Sequence, residues 1–416
     1  MIRFTGVKTR LFLILYCLPL GGCLSSRSEP VLPVVETIVP AAPAGQPPSP
    51  YVDRAADGIS FTPEKLPTLP VPAEIGIISR KDASAAPDGG VYLSGLFRAA
   101  YREALMREMP LLGALGMDEA HLWPEKSRLT WVQNWRSASR FLNDPWGIAG
   151  LTLAVLNTAG DKVFTVSGDI LNMYGNSSGL GGENGVTGYG PPLTDVFFIK
   201  FTDMTLPVYA QRFYNGLIYV DGMGKSVFTA GEAPSNLIKS DETVGFYPPD
   251  DAELRKKLKF TFEKAYRGII DRYERPVKAG GPVEYLDFGG AAWLIETEEG
   301  AVSIAGLYVQ QYDGGEFAVV LPVLAGGEDV AEDSVFWFLK DAHTIAPPFS
   351  AIINGSVRLP GALGITPHPL AGHGKTLEFL KSLALYGIPL TDSFVNIETM
   401  VFSQRFSNGV FRGSIF

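Results

Sequence analysis

The chain has 416 residues, 46% of them apolar, and a formal net charge of −9. That length and apolar content are enough to bury a large core. The acidic balance repels phosphate backbones and excludes nucleic acid as a natural partner.

The first element is a short apolar run. Arg3, Lys8 and Arg10 make a basic start, and residues 11–22 are mostly apolar. A run of about twelve residues is too short to span a bilayer as a helix, which takes roughly 20. A charged start, a short apolar stretch and small residues before a cut have the form of a secretory signal. The run closes on Leu20-Gly21-Gly22-Cys23. This ending resembles the lipobox of bacterial lipoproteins, and the resemblance covers the targeting segment alone. It implies cleavage before Cys23, a diacylated Cys23 as the first mature residue, and a signal peptide over 1–22. In Gram-negative members an Asp after the Cys favours the inner membrane. Leu24 stands there, so the resemblance implies sorting to the outer membrane, facing periplasm or surface. Removing three basic residues takes the net charge to −12, with 32 basic and 44 acidic residues left. No polybasic patch attracts anionic lipid, so membrane contact falls to the acyl chains. Cys17 and Cys23 are the two cysteines. One would be discarded and the other acylated, so the fold must do without an intramolecular disulfide.

Residues 23–75 follow the cut as lipidated Cys and tether. Eleven prolines without a helical or strand period favour a disordered, extended chain.

An amphipathic helix is expected over 93–112. Leu93, Leu96, Phe97, Ala100, Tyr101, Ala104 and Leu105 make the apolar stripe. Arg98, Arg102, Glu103, Arg107 and Glu108 form the polar face, and Pro110 bends or ends the helix. Short β-branched or aromatic runs at 151–156, 163–166, 196–201 and 217–220 read as strands. A second helix begins after Pro248-Pro249, capped by Asp250 with Glu253 at capping-box spacing, and ends before Pro276. A β-meander covers 283–324, with 317–324 central in a sheet. Further strands are expected at 335–339 and 351–359. A third helix is expected over 376–386. A hairpin, 399–406 and 410–416, turns on Asn408-Gly409.

Frequent hairpin turns predict an α+β fold of mainly antiparallel sheets with about three amphipathic helices. The first two helices start about 158 residues apart. That suggests two related α+β halves, 76–245 and 246–416, or one continuous domain. No residue-level repeat is evident.

Candidate chemistry is sparse. Residues 175–190 hold seven glycines, beside Asn172, Tyr174, Asn176, Asn184 and Tyr189. Backbone freedom with amide and ring groups suits a loop that binds a glycan or a protein surface; a plain mobile connector is the simpler reading. Gly175-Asn176-Ser177-Ser178-Gly179 matches G-x-S-x-G, but more glycine follows where a nucleophile elbow needs a helix. His343, His368 and His373 suit zinc by chemistry, without a helical H-E-x-x-H spacing. Gly372-His373-Gly374-Lys375-Thr376 lacks the first Gly of a phosphate loop, because Pro369 stands there, and Gly224-Lys225-Ser226 fails likewise at Tyr219. Trp131 and Trp135 share a strand face with Gln133, as core or as a sugar platform. No catalytic set, metal site or cofactor motif emerges. The expected function is a membrane-anchored envelope lipoprotein with a binding or structural role and a glycan or protein partner. The alternatives are a periplasmic or surface hydrolase acting on glycan or peptide, and a lipid carrier with an apolar cavity.

Overall fold

A computed structural model of the chain describes residues 58–77, 91–115, 119–123, 128–138, 150–157, 162–175, 185–201, 207–238, 249–288, 293–297, 300–327, 330–331, 334–354, 383, 385–397 and 399–414. The fold is α+β, and every strand pairing among these residues is antiparallel.

The chain order is one architecture written twice. Strand β1 (Ile59–Pro63) is followed by helix α1 (Val91–Met106) and strands β2 (Leu111–Ala114), β3 (Glu119–Trp123), β4 (Arg128–Ser137), β5 (Leu151–Asn157) and β6 (Lys162–Ser167). Helix α2 (Gly168–Gly175), a π-turn at Gly185–Tyr189 and strands β7 (Phe197–Ile199), β8 (Val208–Phe213) and β9 (Gly216–Val220) complete the first copy. The second copy opens with β10 (Ser226–Ala230) and α3 (Ala252–Tyr273). Strands β11 (Glu284–Asp287), β12 (Trp293–Thr297), β13 (Gly300–Tyr312), β14 (Phe317–Leu324) and β15 (His343–Ile345) follow. Helix α4 (Phe349–Ile353) and strands β16 (Phe394–Asn396), β17 (Val401–Phe406) and β18 (Gly409–Ser414) close it.

Each copy stacks a helix, a five-stranded sheet and a four-stranded sheet. In the first, Phe97 and Tyr101 of α1 pack on Trp135, Ala154 and Leu156. The opposite face of the same sheet offers Leu153, Val155 and Val166 to α2 and to Phe213, Ile218 and Val220. Covered on both faces, β5 reads as a near-continuous apolar run. In the second copy, Phe262 and Tyr266 of α3 pack on Tyr312, Phe317 and Val319. Leu307, Val309 and Val320 on the other face meet Phe406 and Phe411.

The four-stranded sheets interlock the copies. Their orders are β10-β9-β8-β7 and β1-β18-β17-β16. The strand that opens the second copy completes the first copy's sheet, and the strand that opens the first copy completes the second copy's sheet. The registers match position for position. Phe228 faces Ile218, and Phe61 faces Phe411. Gly231 N–H donates to Asn215 O at 3.0 Å, and Glu64 N–H donates to Asn408 O at 3.2 Å. Both strands cross directly over the glycine of an Asn-Gly turn. A Cβ on Gly216 would lie 2.3 Å from Thr229 O, and one on Gly409 would lie 2.3 Å from Thr62 O. Only glycine fits at either place.

Several sequence expectations are corrected. The stretch 23–75 is not tether throughout, since β1 pairs with β18 inside it. The halves 76–245 and 246–416 do not part cleanly, because β1 and β10 cross between them, and residues 48–416 form one compact unit. Residues 168–175 are helix, where a loop was expected from 172 onward. Residues 337–340 form a 3-10 turn and 349–353 a helix, both within or beside expected strands. Asp251, not Asp250, caps α3, accepting from the Glu253 and Leu254 N–H groups at 2.9 and 3.0 Å. Of the third helix expected at 376–386, only 383, 385 and 386 are described, and they are helical.

Candidate functional site

The duplication acts as an internal alignment. Tyr189-Gly190-Pro191-Pro192-Leu193-Thr194-Asp195 recurs as Tyr386-Gly387-Ile388-Pro389-Leu390-Thr391-Asp392. Gln211-Arg212-Phe213-Tyr214-Asn215-Gly216 recurs as Gln404-Arg405-Phe406-Ser407-Asn408-Gly409. Gly190 and Gly387 sit at φ 75° and 88°, in the left-handed region glycine favours. Gln211 Nε2 donates to the carbonyls of Thr165 and Thr194, both at 2.9 Å. Gln404 Nε2 donates to those of Thr344 and Thr391 at 2.8 and 2.9 Å. Thr194 Oγ1 accepts from Arg212 N–H at 3.1 Å, as Thr391 Oγ1 does from Arg405 N–H at 3.2 Å. These buried bonds tie two sheets together, and each would be costly to leave unmade. Most of the residues kept in both copies are therefore accounted for by the scaffold.

The two aspartates meet at the join between the copies. Arg107, just past the end of α1, holds Asp195 at 2.7 Å. Arg272, near the end of α3, lies 3.0 Å from Asp392 and 3.5 Å from Asp195. Lys162 stands 3.8 Å from both Glu103 and Asp392, and Glu103 also bonds Arg107. Reciprocal pairs flank this centre. Arg212 of the first copy bonds Glu274 at the end of α3. Arg405 of the second lies 3.7 Å from Glu108 at the end of α1, and its Nε donates to Met106 O at 2.9 Å. Glu108 and Glu274 are matching helix ends, both left-handed, at φ 61° and 52°.

Burial works against the charge on each aspartate, and the neighbouring cations more than offset it. Asp195 is held down to about 2 by Arg107, Lys162 and Arg272. Asp392 is held well below the usual carboxylate range by Arg272 and Lys162. Lys162 and Arg107 are correspondingly raised despite burial, by Glu103 and the two aspartates. Three cations and three carboxylates thus neutralise one another out of water. The expected polar face of the first helix is corrected here: Arg102 and Arg107 are buried. Glu108 on the same face stays exposed, and the Arg107 guanidinium meets Asp195 of its own copy and the Phe394 ring of the other.

Beside Arg107 a pocket of about 50 Å³ opens at the join. Met109 and Pro110 follow α1 on one side, and Phe394 to Ile397 of the second copy close the other. Thr152, Thr165, Ser137 and Ser167 bring hydroxyls. The Arg107 guanidinium lies 5.6 Å from the Phe394 ring centre. The pocket is too small for an acyl chain.

The sequence-derived candidates do not gather here. Asn172 and Tyr174 lie on α2, not on a loop. Asn172 donates to Asp169 Oδ1 at 3.4 Å. Tyr174 is wholly buried, stacks on Phe213 with ring centres 4.8 Å apart, and donates to Gly190 O at 3.0 Å. Burial raises its pKa, and it is core rather than a ligand group. Tyr189 is half-buried, edge-on to Phe228 at 4.6 Å. His343 is buried in β15 with Nε2 3.3 Å from Phe338 O. Trp131 and Trp135 are core, with Trp135 edge-on to Tyr101 at 5.0 Å. Gly224 and Lys225 lie in the β9–β10 turn, where Asp221 Oδ1 accepts from Lys225 N–H at 2.8 Å, and Ser226 opens β10. Cys23, Asn176, Ser177, Asn184, His368, His373 and the Gly372–Thr376 stretch lie outside the described residues. The two sequence regions singled out for chemistry occupy the same chain position in each copy, between the short helix and the Tyr-Gly turn. Among the described residues no group of three His, Cys, Asp or Glu is placed to hold a metal, and no helix is long and apolar enough to cross a membrane.

No family model matches the chain, and no curated protein matches its sequence.

Proposed function

We propose that the chain is a lipid-anchored protein of the bacterial envelope, held at the outer membrane through Cys23. Its duplicated body binds an envelope glycan or protein without catalysing a reaction. The observation that carries the reading is Leu20-Gly21-Gly22-Cys23 at the end of a short apolar run with a basic start. Seven prolines between Cys23 and the first strand supply reach, at about 3.1 Å per residue when extended. Two acyl chains hold a protein on a bilayer where one does not. The non-catalytic half of the reading draws on the buried charges. Asp195, Asp392, Arg107, Arg272 and Lys162 are used in joining two copies of one module.

Cys23→Ala is the test. The variant is expected to stay unprocessed, to take up no labelled fatty acid and to leave the detergent-extracted outer-membrane fraction. Unchanged processing and partition would overturn the anchor.

A further inference from the structure

The second copy shows what the pocket beside Arg107 lacks. The matching bonds from Gln211 and Gln404 make Thr165 the counterpart of Thr344; their strand partners Ala154 and Val319 then correspond, and two residues earlier so do Thr152 and Phe317. Both positions face the long helix of their own copy. In the second copy the Phe317 ring occupies the space. It is 0% exposed, edge-on to Tyr273 at 4.8 Å, with the Arg275 guanidinium 5.6 Å from its centre. The first copy has Thr152 there, Met109 in place of Arg275, and no counterpart of Tyr273. A ring's worth of side chain is missing, and the pocket stands where it would lie.

The walls indicate the chemistry of what fits. The Thr152 hydroxyl is buried and has no hydrogen-bond partner among the described residues, although it lines the pocket. A buried hydroxyl left unpaired costs stability until something pairs with it. Among the described residues Thr165 Oγ1 has the weak acceptor Met109 Sδ, at 3.9 Å. An anion would have to compete with Asp195 for Arg107, and a cation with Arg107 and Arg272 for Asp195. A neutral group faces neither cost. Met109, Phe394 and Ile397 offer apolar surface to a methyl or a C–H face. The volume corresponds to about three or four water-sized groups. That is the size of an acetamido group, which carries one acceptor, one donor and one methyl.

We propose that this pocket binds the acetamido end of an N-acetylated amino sugar in a glycan. Thr152 donates to the amide carbonyl, and Met109 and Phe394 cover the methyl. The inference rests on the envelope-binding reading and names the ligand class of that body.

The test titrates the full-length chain in detergent with the β-1,4-linked trisaccharide of N-acetylglucosamine, followed by calorimetry. The glucose trisaccharide, which lacks the acetamido groups, is the comparison. The acetylated sugar is expected to bind at least tenfold tighter. Thr152→Phe restores the second copy's side chain, and should keep the melting transition while abolishing binding. Thr152→Val keeps the shape without the hydroxyl and should weaken binding about tenfold, which decides the matter if the Phe variant does not fold. Absence of binding by the wild-type chain, equal binding of both sugars, or binding unchanged in Thr152→Val would overturn the proposal. None of these results alters the outcome at Cys23, so the two readings fail separately.

Discussion

Arg272→Met is expected to destabilise the protein by about 3–5 kcal/mol at neutral pH, the usual cost of removing one partner from a buried ion pair. The guanidinium is buried and serves both aspartates, at 3.0 Å from Asp392 and 3.5 Å from Asp195. Its loss leaves two carboxylates out of water with one fewer cation between them. The pH dependence has a definite sign. In the wild type both aspartates titrate below their unfolded value of about 3.9, Asp195 at about 2. Their contribution is therefore complete above roughly pH 4 and is lost as pH falls toward 2. In the variant Asp392 loses the nearest and strongest of its cations and becomes easier to protonate, while Asp195 keeps Arg107 and Lys162. The deficit should be largest at pH 7 and should shrink as pH approaches 4. Urea midpoints of wild type and variant at pH 7 and pH 4.5 measure this. Arg275→Met is the comparison, since its pairs with Asp313 and Glu316 are partly exposed. An exposed pair is worth at most about 1 kcal/mol. Equal, small losses for the two variants would mean that the buried centre is not what joins the copies.

The second large effect concerns the first strand. A chain beginning at residue 58 should melt like one carrying the full preceding stretch, whereas a chain beginning at residue 65 should lose its C-terminal sheet. Strand β1 covers β18 along five residue pairs, from Ile59 against Gly413 to Pro63 against Gly409. Phe61 packs on Tyr386 and Phe411, each with ring centres 4.9 Å apart. Glu64 receives Arg412 at 2.9 Å. Without this strand, Phe411 loses its cover and β18 becomes an unpaired apolar edge, a template for aggregation. Uncovering one large aromatic side chain alone costs about 1.5–3 kcal/mol. Solubility and melting midpoint of the two truncations measure the difference. Equal stability would show that the second copy closes without help from the first.

Much of the fold was legible in local pattern. The stripe through Phe97, Tyr101 and Ala104 marked α1, short apolar runs marked β5 as a strand, and apolar continuity marked β14 as a central one. The Asn408-Gly409 turn marked the closing hairpin. Periodicity reads such features because each depends on neighbours in sequence. The duplication was also present in the letters, in two Tyr-Gly-x-Pro-Leu-Thr-Asp strings and two Gln-Arg-Phe-x-Asn-Gly strings. The helix spacing hints at two related halves, but the residue-level match is masked because the offset is not fixed. Arg107 and Arg272 are 165 residues apart, Gln133 and Gln310 are 177, and Asp195 and Asp392 are 197. Unequal insertions hide a repeat from any search for one period.

The ionic centre had no comparable signal. Arg107, Lys162, Asp195, Arg272 and Asp392 are spread over almost 300 residues. Charges on a helix are ordinarily read as its wet face, and here Arg102 and Arg107 on that face are buried. The pocket was hidden for a related reason. A threonine in a strand is unremarkable until its position is matched to Phe317. The Gly-rich loop reading failed at Tyr174 because α2 continues through it and turns the ring inward. Glycine content alone does not say where a helix stops.

The anchor is tested most directly by intact-mass analysis of the mature N-terminus from outer-membrane preparations of the host. The account predicts a chain starting at Cys23 and carrying a diacylglyceryl group on the thiol. An unmodified Cys23, or a chain cut at another residue, would contradict it.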